Sequence, residues 1–530
     1  MNLKFLAAQL GRIAQLLGLV LSGIAALFVI VPGADMNFID AGELSLLATG
    51  VLSLASGTGL WLWGKGARMV RTRSLQGDEL VRPYRMSRRD AALLTTTAWL
   101  VGSLVAGLPF LLWASLSGDA PDAHPFRSAV NCWFEAVSGL TTTGATILSD
   151  IEALPRSLLF WRSIIQWLGG LGILMLFVAL LPGLGIGAKR LFRFEAPGPS
   201  PDGPRPSVRD AARTLWRIYL GLTVAMFVLL MLGGMEWFDS ANHTFTTLAT
   251  GGFSTRNASL ARPESMFAEI VIVVFMVAAG SNFGVLHAMF RGRWKTVLRD
   301  TEFKVYLALL IVGSLVCTIA LTTAGQPLVL TDGAEVPATT GEAVRAATFT
   351  VVSQQTTTGF ATVDWDLWPF AAKAFIIVLM FVGGSAGSTA GGVKVVRVWI
   401  ALRTLWAELE RFFRPDVVRP LRVAGQVVDD RQQMLVLVHL LGTLLLLGLG
   451  AVALMALESS RGEMSFTTAA SASLATICTV GPGMDAVGAL RNYDWFSDAS
   501  KGLLCLLMLI GRLELFALAA LAHPRFWREQ

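Results

Sequence analysis

Long apolar runs alternate along the chain with short charged stretches. Such runs lie at Leu17 to Val31 (extended back through Ile13), Leu220 to Leu232, Ile270 to Ala279, Val305 to Leu321, Phe375 to Val382 and Met434 to Met455. A helix crosses the bilayer core with about 20 residues, so with their flanks the runs predict roughly ten spans. Two come first, over about 9–31 and 43–64, and four pairs follow. Between the members of each pair lies a shorter, moderately apolar stretch: Ser128 to Leu140, Trp237 to Leu248, Gly341 to Gln355 and Met464 to Ile477. None is long enough to span, and each runs into threonine and glycine. Irregular backbone at membrane depth survives only where it lines a water-filled cavity or is buried in protein. The pattern therefore predicts a re-entrant helix followed by a loop.

The four loops match one another. They read Thr141-Thr142-Thr143-Gly144, Ala249-Thr250-Gly251-Gly252, Thr356-Thr357-Thr358-Gly359 and Cys478-Thr479-Val480-Gly481. Threonine stands two residues before the final glycine each time. The spacing is nearly constant, apart from a longer last step that contains the basic stretch around Arg411 to Asp430. One such string alone would read as an ordinary turn, but four, each after a short helix, predict a repeated unit. The fold expected is an all-α integral membrane protein: a fourfold pseudosymmetric repeat of span, pore helix and span around one pore, plus two extra N-terminal spans. The expected divisions are 1–90 for those two spans and a basic loop, then 91–186, 187–292, 293–430 and 431–530 for the four repeats.

A monovalent cation in a dry pore must have its water shell replaced by oxygens, and a ring of backbone carbonyls does this without fixed charge. Turning successive carbonyls to one side demands backbone angles that glycine adopts readily. The sixteen loop residues named above are the expected cation site. Threonine adds a hydroxyl there or packs behind the loop.

Composition narrows the class. Hydrophobic residues make up 54% of the 530 and charged residues only 15%, against about 25% charged in an ordinary soluble domain. Mean hydropathy is +0.60. The net charge of +6 is no nucleic-acid signal, because the basic residues sit in short stretches between spans: Lys65 to Arg89, Lys189 to Arg217, Arg291 to Arg299, Lys394 to Arg431 and His523 to Arg528. The positive-inside rule puts these in the cytoplasm, with both termini. The four cysteines and five histidines show no metal-ligand spacing. No cluster of His, Asp or Glu within the spans suggests an enzyme, and no organic cofactor is expected.

Two further features stand out. Gly383-Gly384-Ser385-Ala386-Gly387-Ser388-Thr389-Ala390-Gly391-Gly392 interrupts an apolar run that resumes at Val393. Glycine and serine destabilise helix interiors, so the stretch predicts a loop inside the membrane; close helix packing through Gly383, Gly387 and Gly391 is the other possibility. It lacks the lysine and hydroxyl placement of a phosphate loop, since Val393 precedes Lys394 and Val395 follows it. Arg512 lies within the last apolar run. Charge at membrane depth is costly and calls for a partner. Glu514 is two residues away and faces elsewhere on a helix, so carbonyls of the glycine-rich stretch are the expected partners. Lys394 is either loop charge or part of this group. Asn282 is either a helix-break residue lining the cavity or a hydrogen bond between helices.

These residues resemble the Trk/Ktr/HKT superfamily of potassium transporters, and most closely its TrkH branch. Trp161 to Gly172, Gly383 to Lys394 and Gly511 to Glu514 carry the likeness, with the two extra N-terminal spans. The departures are Ala145 after the first glycine, where phenylalanine follows the second and third, and Pro482 after the fourth. The resemblance implies potassium uptake through the four loops across the cytoplasmic (inner) membrane. It implies that Gly383, Gly384, Ser385, Gly387, Ser388, Gly391 and Gly392, with Arg512, form a gate. It also implies a homodimer, contact with membrane lipid and a cytosolic nucleotide-binding regulatory subunit of TrkA type. A symporter coupling potassium to protons or sodium is the alternative. In the related plant branch, serine at the first filter glycine goes with sodium permeation; Gly144 stands here.

Overall fold

A computed structural model describes residues 3–30, 40–65, 69–73, 79–83, 87–117, 124–172, 208–260, 265–414, 421–423, 426–459, 464–515, 521 and 523–528. Most of the basic stretch from Lys189 to Arg217 lies outside them. Two long helices open the chain, α1 (Leu3–Ile30) and α2 (Ala41–Gly64). Asp40 and Glu43 cap α2 reciprocally. The pair packs closely through small residues: a Cβ on Gly57 would overlap the Gly11 carbonyl, and one on Gly18 the Gly50 carbonyl.

Four units of three helices follow. The first runs α3 (Arg88–Leu116), α4 (Ala129–Leu140) and α5 (Arg156–Gly170). The second runs α6 (Val208–Leu232), α7 (Trp237–Leu248) and α8 (Met266–Ala279), with α9 (Phe283–Phe290) and α10 (Trp294–Arg299) leading out of it. The third runs α11 (Thr301–Ala324), α12 (Thr340–Gln355) and α13 (Phe370–Val382), continued by α14 (Val395–Phe413). The fourth runs α15 (Asp430–Leu457), α16 (Phe466–Ile477) and α17 (Asp498–Arg512). The short middle helices fall within two residues of the stretches expected from sequence. Small hairpins occupy connections, among them β1–β2 (Met69–Arg73 with Glu79–Pro83).

Among the described residues, six helices are long and apolar enough to cross a membrane, or seven if α8 and α9 count as one bent span. Ten full spans were expected. The shortfall has one cause. The last helix of every unit has only 13 to 15 residues, about 20–23 Å at 1.5 Å per residue against a core of about 30 Å. Each ends short of a full span. α5 stops at Gly170, and α8 stops at Gly280 and turns by 110° into α9. α13 stops at Gly383, whose φ is 70°. α17 stops at Arg512, followed by Glu514 and Leu515 at φ 53° and 45°. The long first helices keep apolar side chains such as Leu104, Val224, Ile311 and Leu441 exposed, as lipid-facing surfaces require. The short middle helices are largely buried.

Candidate functional site

The four short helices end alike. Each stops on a right-handed residue (Thr141, Ala249, Thr356, Cys478). A threonine with positive φ follows: Thr142 at 57°, Thr250 at 53°, Thr357 at 55° and Thr479 at 50°. The next residue donates five positions back, at 2.8 Å in all four: Thr143 N to Ser138 O, Gly251 N to Thr246 O, Thr358 N to Ser353 O and Val480 N to Ala475 O. This is the bond of a Schellman helix end, whose left-handed position usually belongs to glycine. A β-branched residue there is an outlier, and such strain persists only where the surroundings impose it. Gly144, Gly252, Gly359 and Gly481 then take φ of 82°, 74°, 81° and 98°.

The loops meet in order. A Cβ on Gly144 would stand under 3.0 Å from the Gly251 carbonyl oxygen of the second loop. One on Gly252 would do the same to Thr358 of the third, one on Gly359 to Val480 of the fourth, and one on Gly481 to Thr143 of the first. The four loops close a ring in which the carbonyl before each glycine covers the glycine of the preceding loop. The residues ahead of the glycines are buried.

Side chains outside the loops hold the ring. Gln166 on α5 donates to Gly251 O at 2.6 Å and accepts from Phe253 N at 3.1 Å. Tyr493 donates its hydroxyl to Gly481 O and its N–H to Thr146 O, both at 2.8 Å, bridging the fourth and first loops. Glu135 on α4 and Arg162 on α5 pair at 2.7 Å with 0% and 1% exposure. Glu135 also accepts from Thr146 Oγ1 and Ile147 N, while Arg162 donates to Ser254 O at 3.1 Å. The pair therefore joins the first loop to the second. Arg345 on α12 donates to Glu269 on α8, Nε to Oε2 at 2.9 Å. Lys501 on α17 donates to Asn131 on α4 at 2.7 Å. Outside the ring, Ser465 and Thr468 donate to Asp485, which holds its carboxyl below the usual range, the Ser465 bond contributing most.

With the outer loops taken as up, the glycine-rich stretch lies beneath the ring. It is not helical from Gly383 to Gly392, and Gly383, Gly387 and Gly392 have φ of 70°, 73° and 73°. Its hydrogen bonds reach the second, third and fourth units. Gly391 N donates to Thr357 Oγ1 at 2.6 Å, Gly392 N to Cys478 O at 3.0 Å, and Thr389 Oγ1 to Leu248 O at 2.9 Å. Arg512 supplies the link to the first unit. Its Nη1 donates to Thr389 O at 3.0 Å, and its Nη2 donates to Gly169 O and Gly170 O at 2.6 and 2.7 Å. Below lies a cavity lined by Lys394, Arg397, His439, Arg512 and Glu514, in which Arg397 pairs with Glu514 at 2.6 Å. Lys394 is buried and donates to Ala390 O. Asn282 marks the helix break: it caps α9, accepting from Gly284 N at 2.7 Å.

The family model described as TrkH, a cation transport protein, matches residues 89–528. The chain belongs to the TrkH family. The Trk system potassium uptake protein TrkH of Escherichia coli (strain K12) is 33% identical over 521 residues, covering 98% of this chain and 99% of the relative. The protein of that name from Halomonas elongata is 35% identical over 443 residues, covering 83% and 86%. The crystal structure of the potassium transporter TrkH from Vibrio parahaemolyticus matches with a TM-score of 0.79 and 30% identity over 100% of both chains. Membership of the TrkH family makes the chain a multi-pass membrane transporter rather than an enzyme.

The residues expected from sequence come together in the ring and in the stretch beneath it. Glu135, Arg162, Gln166 and Tyr493 were not among them. The rule that singles out Arg512, charge inside an apolar run, applies equally to Arg162.

Proposed function

We propose that the chain takes up potassium across the cytoplasmic membrane, the ion passing through carbonyls of Thr141 to Gly144, Ala249 to Gly252, Thr356 to Gly359 and Cys478 to Gly481. The closed order of the four loops carries this reading. In every loop the threonine and the glycine have positive φ and the residue between them does not, a repeated path on which the glycine takes an angle it adopts readily. Four such loops around an axis replace a cation's water shell without fixed charge. Potassium is the ion in the names of the relatives, and Gly144 in the first loop agrees with it.

The stretch from Gly383 to Gly392 is the gate. It lies across the underside of the ring, and Arg512, always charged and rich in donors, latches it through Thr389. The chain works as a homodimer with both termini inside. Its basic inner face, which includes Arg291 to Arg299, meets anionic lipid and a cytosolic nucleotide-binding subunit. The "Trk system" in the relatives' names is in keeping with a multi-component assembly. No observation favours coupled symport.

The test is ion flux in proteoliposomes with potassium, sodium and caesium supplied separately. Potassium flux should exceed sodium flux clearly. Equal sodium and potassium flux would overturn the reading of the ring.

A further inference from the structure

One buried carboxylate outside the ring holds the gate stretch. Glu302 is the second residue of α11 and 9% exposed. Its Oε1 accepts from Ala386 N at 2.6 Å and from Val396 N at 3.2 Å. Ala386 lies inside the glycine-rich stretch, and Val396 is the second residue of α14, just beyond it. One oxygen thus ties together the entry and exit of the loop.

The start of α14 needs this partner. Its first N–H groups have no intrahelical acceptor, and its N-cap residue, Lys394, makes no side-chain cap bond and has φ 80°. Glu302 supplies the missing acceptor from another helix. It also lies in the first turn of α11, which Asp300 caps. Two helix N-termini therefore face one carboxylate, and each favours the anion.

We propose that Glu302 is the positioning residue that pins the gate: by capping α14 in trans and holding Ala386, it keeps the loop across the pore, and its release opens the loop. This rests on the gate reading above. Asp300 both ends α10 and caps α11, so a displacement of the basic α9–α10 elbow reaches the loop through Glu302. The elbow is where a cytosolic regulator could act on the pore without touching the ring.

Glu302→Ala, Glu302→Gln, the Gly387–Gly391 deletion and that deletion combined with Glu302→Ala are reconstituted, and their potassium flux is measured without regulator. In a second set the wild type and the two Glu302 variants also carry Ser388→Cys, and its labelling by a membrane-impermeant thiol reagent from the inner side is timed. The native cysteines Cys132, Cys317, Cys478 and Cys505 are all buried. Glu302→Ala should raise basal flux and labelling rate by about tenfold, the factor that loss of one charge-assisted hydrogen bond supplies. Glu302→Gln keeps an acceptor oxygen without the charge and should give a smaller rise, which also serves if the alanine variant fails to fold. Potassium-to-sodium selectivity should stay unchanged, and Glu302→Ala should add nothing once the loop is deleted. If deletion raises flux while both Glu302 variants leave flux and labelling at the wild-type level, the pin is overturned and the gate stands. If deletion leaves flux unchanged, the gate reading fails, and labelling alone decides whether Glu302 holds the loop.

Discussion

The ring and the layer beneath it are built from the same four units in opposite ways. In the ring the four loops share one backbone path while their side chains differ: Thr141, Ala249, Thr356 and Cys478 stand at one position with the same cap geometry. Beneath it the units diverge. In the first two, the break residues Gly170 and Gly280 are packed against Tyr219 and Tyr306 of the next unit and against Ala249 and Thr356 of the next loop. Those tyrosines donate to equivalent carbonyls, Trp167 O at 3.0 Å and Val277 O at 3.1 Å. The third unit places the long glycine-rich stretch there, with Gly391 against Cys478 and Thr479 of the next loop, and the fourth places Arg512 there. Ion selection needs equal oxygens, and every residue supplies a backbone carbonyl. A gate needs one part that moves and one that holds it, and only side-chain differences between units provide that.

The comparison breaks hardest where the ring loses its brace. Arg162→Met leaves Glu135 as a buried carboxylate without its cation, which typically costs about 3–5 kcal/mol. A thermal unfolding midpoint well below wild type, measured in detergent, is expected. An unchanged midpoint would show that the pair does not hold the first two loops together.

Next in size is a change within the ring itself. Gly144→Ser places a side chain on a left-handed residue, at a Cβ position under 3.0 Å from the Gly251 carbonyl. Left-handed strain and overpacking together cost about 2–5 kcal/mol. Potassium-to-sodium permeability should fall by about a hundredfold, and an unchanged ratio would remove Gly144 from the filter.

A change in the layer below should do the reverse. Arg512→Ala removes the donors to Thr389, Gly169 and Gly170. Potassium flux should rise about tenfold, the worth of a charged hydrogen bond, with selectivity retained. Equal or lower flux in a folded protein would leave the stretch as packing.

The same contrast explains what the sequence made legible. The ring is repeated, so Thr142, Thr250, Thr357 and Thr479 could be aligned without any structure, and the short helices followed from their lengths. The glycine-rich stretch was legible because Gly383 to Gly392 violates helix propensity. The break of the second unit was signalled only by Asn282, for which a hydrogen bond between helices was the other reading, and the end of α5 was not legible, since Gly170 interrupts an apolar run only briefly. The braces were hidden for a different reason. Glu135 and Arg162 stand 27 residues apart, and Glu302 lies 84 from Ala386. No local pattern links such partners; each pair meets only when the segments of its own unit pack together.

The smallest effect lies at the outer rim, where the units also differ. Asp485, at φ 59°, accepts from Ser465 and Thr468 of the fourth short helix, and its N–H donates to Asp366 of the third unit at 2.7 Å. The hydroxyl donors favour the ionised form and hold the carboxyl below the usual range. A carboxyl depressed in the folded state stabilises it fully above the unfolded value, near pH 4, and loses that contribution as pH falls through the folded value. The group is exposed, so solvent screens the gain. Asp485→Asn should therefore lower the unfolding midpoint at pH 7 by only about 1 °C. The gap should close as pH falls through the folded value, because the wild type then loses the same contribution. A gap of the same size on both sides of that value would assign the effect to side-chain shape rather than charge, and the rim would then hold the fourth unit to the third by geometry alone.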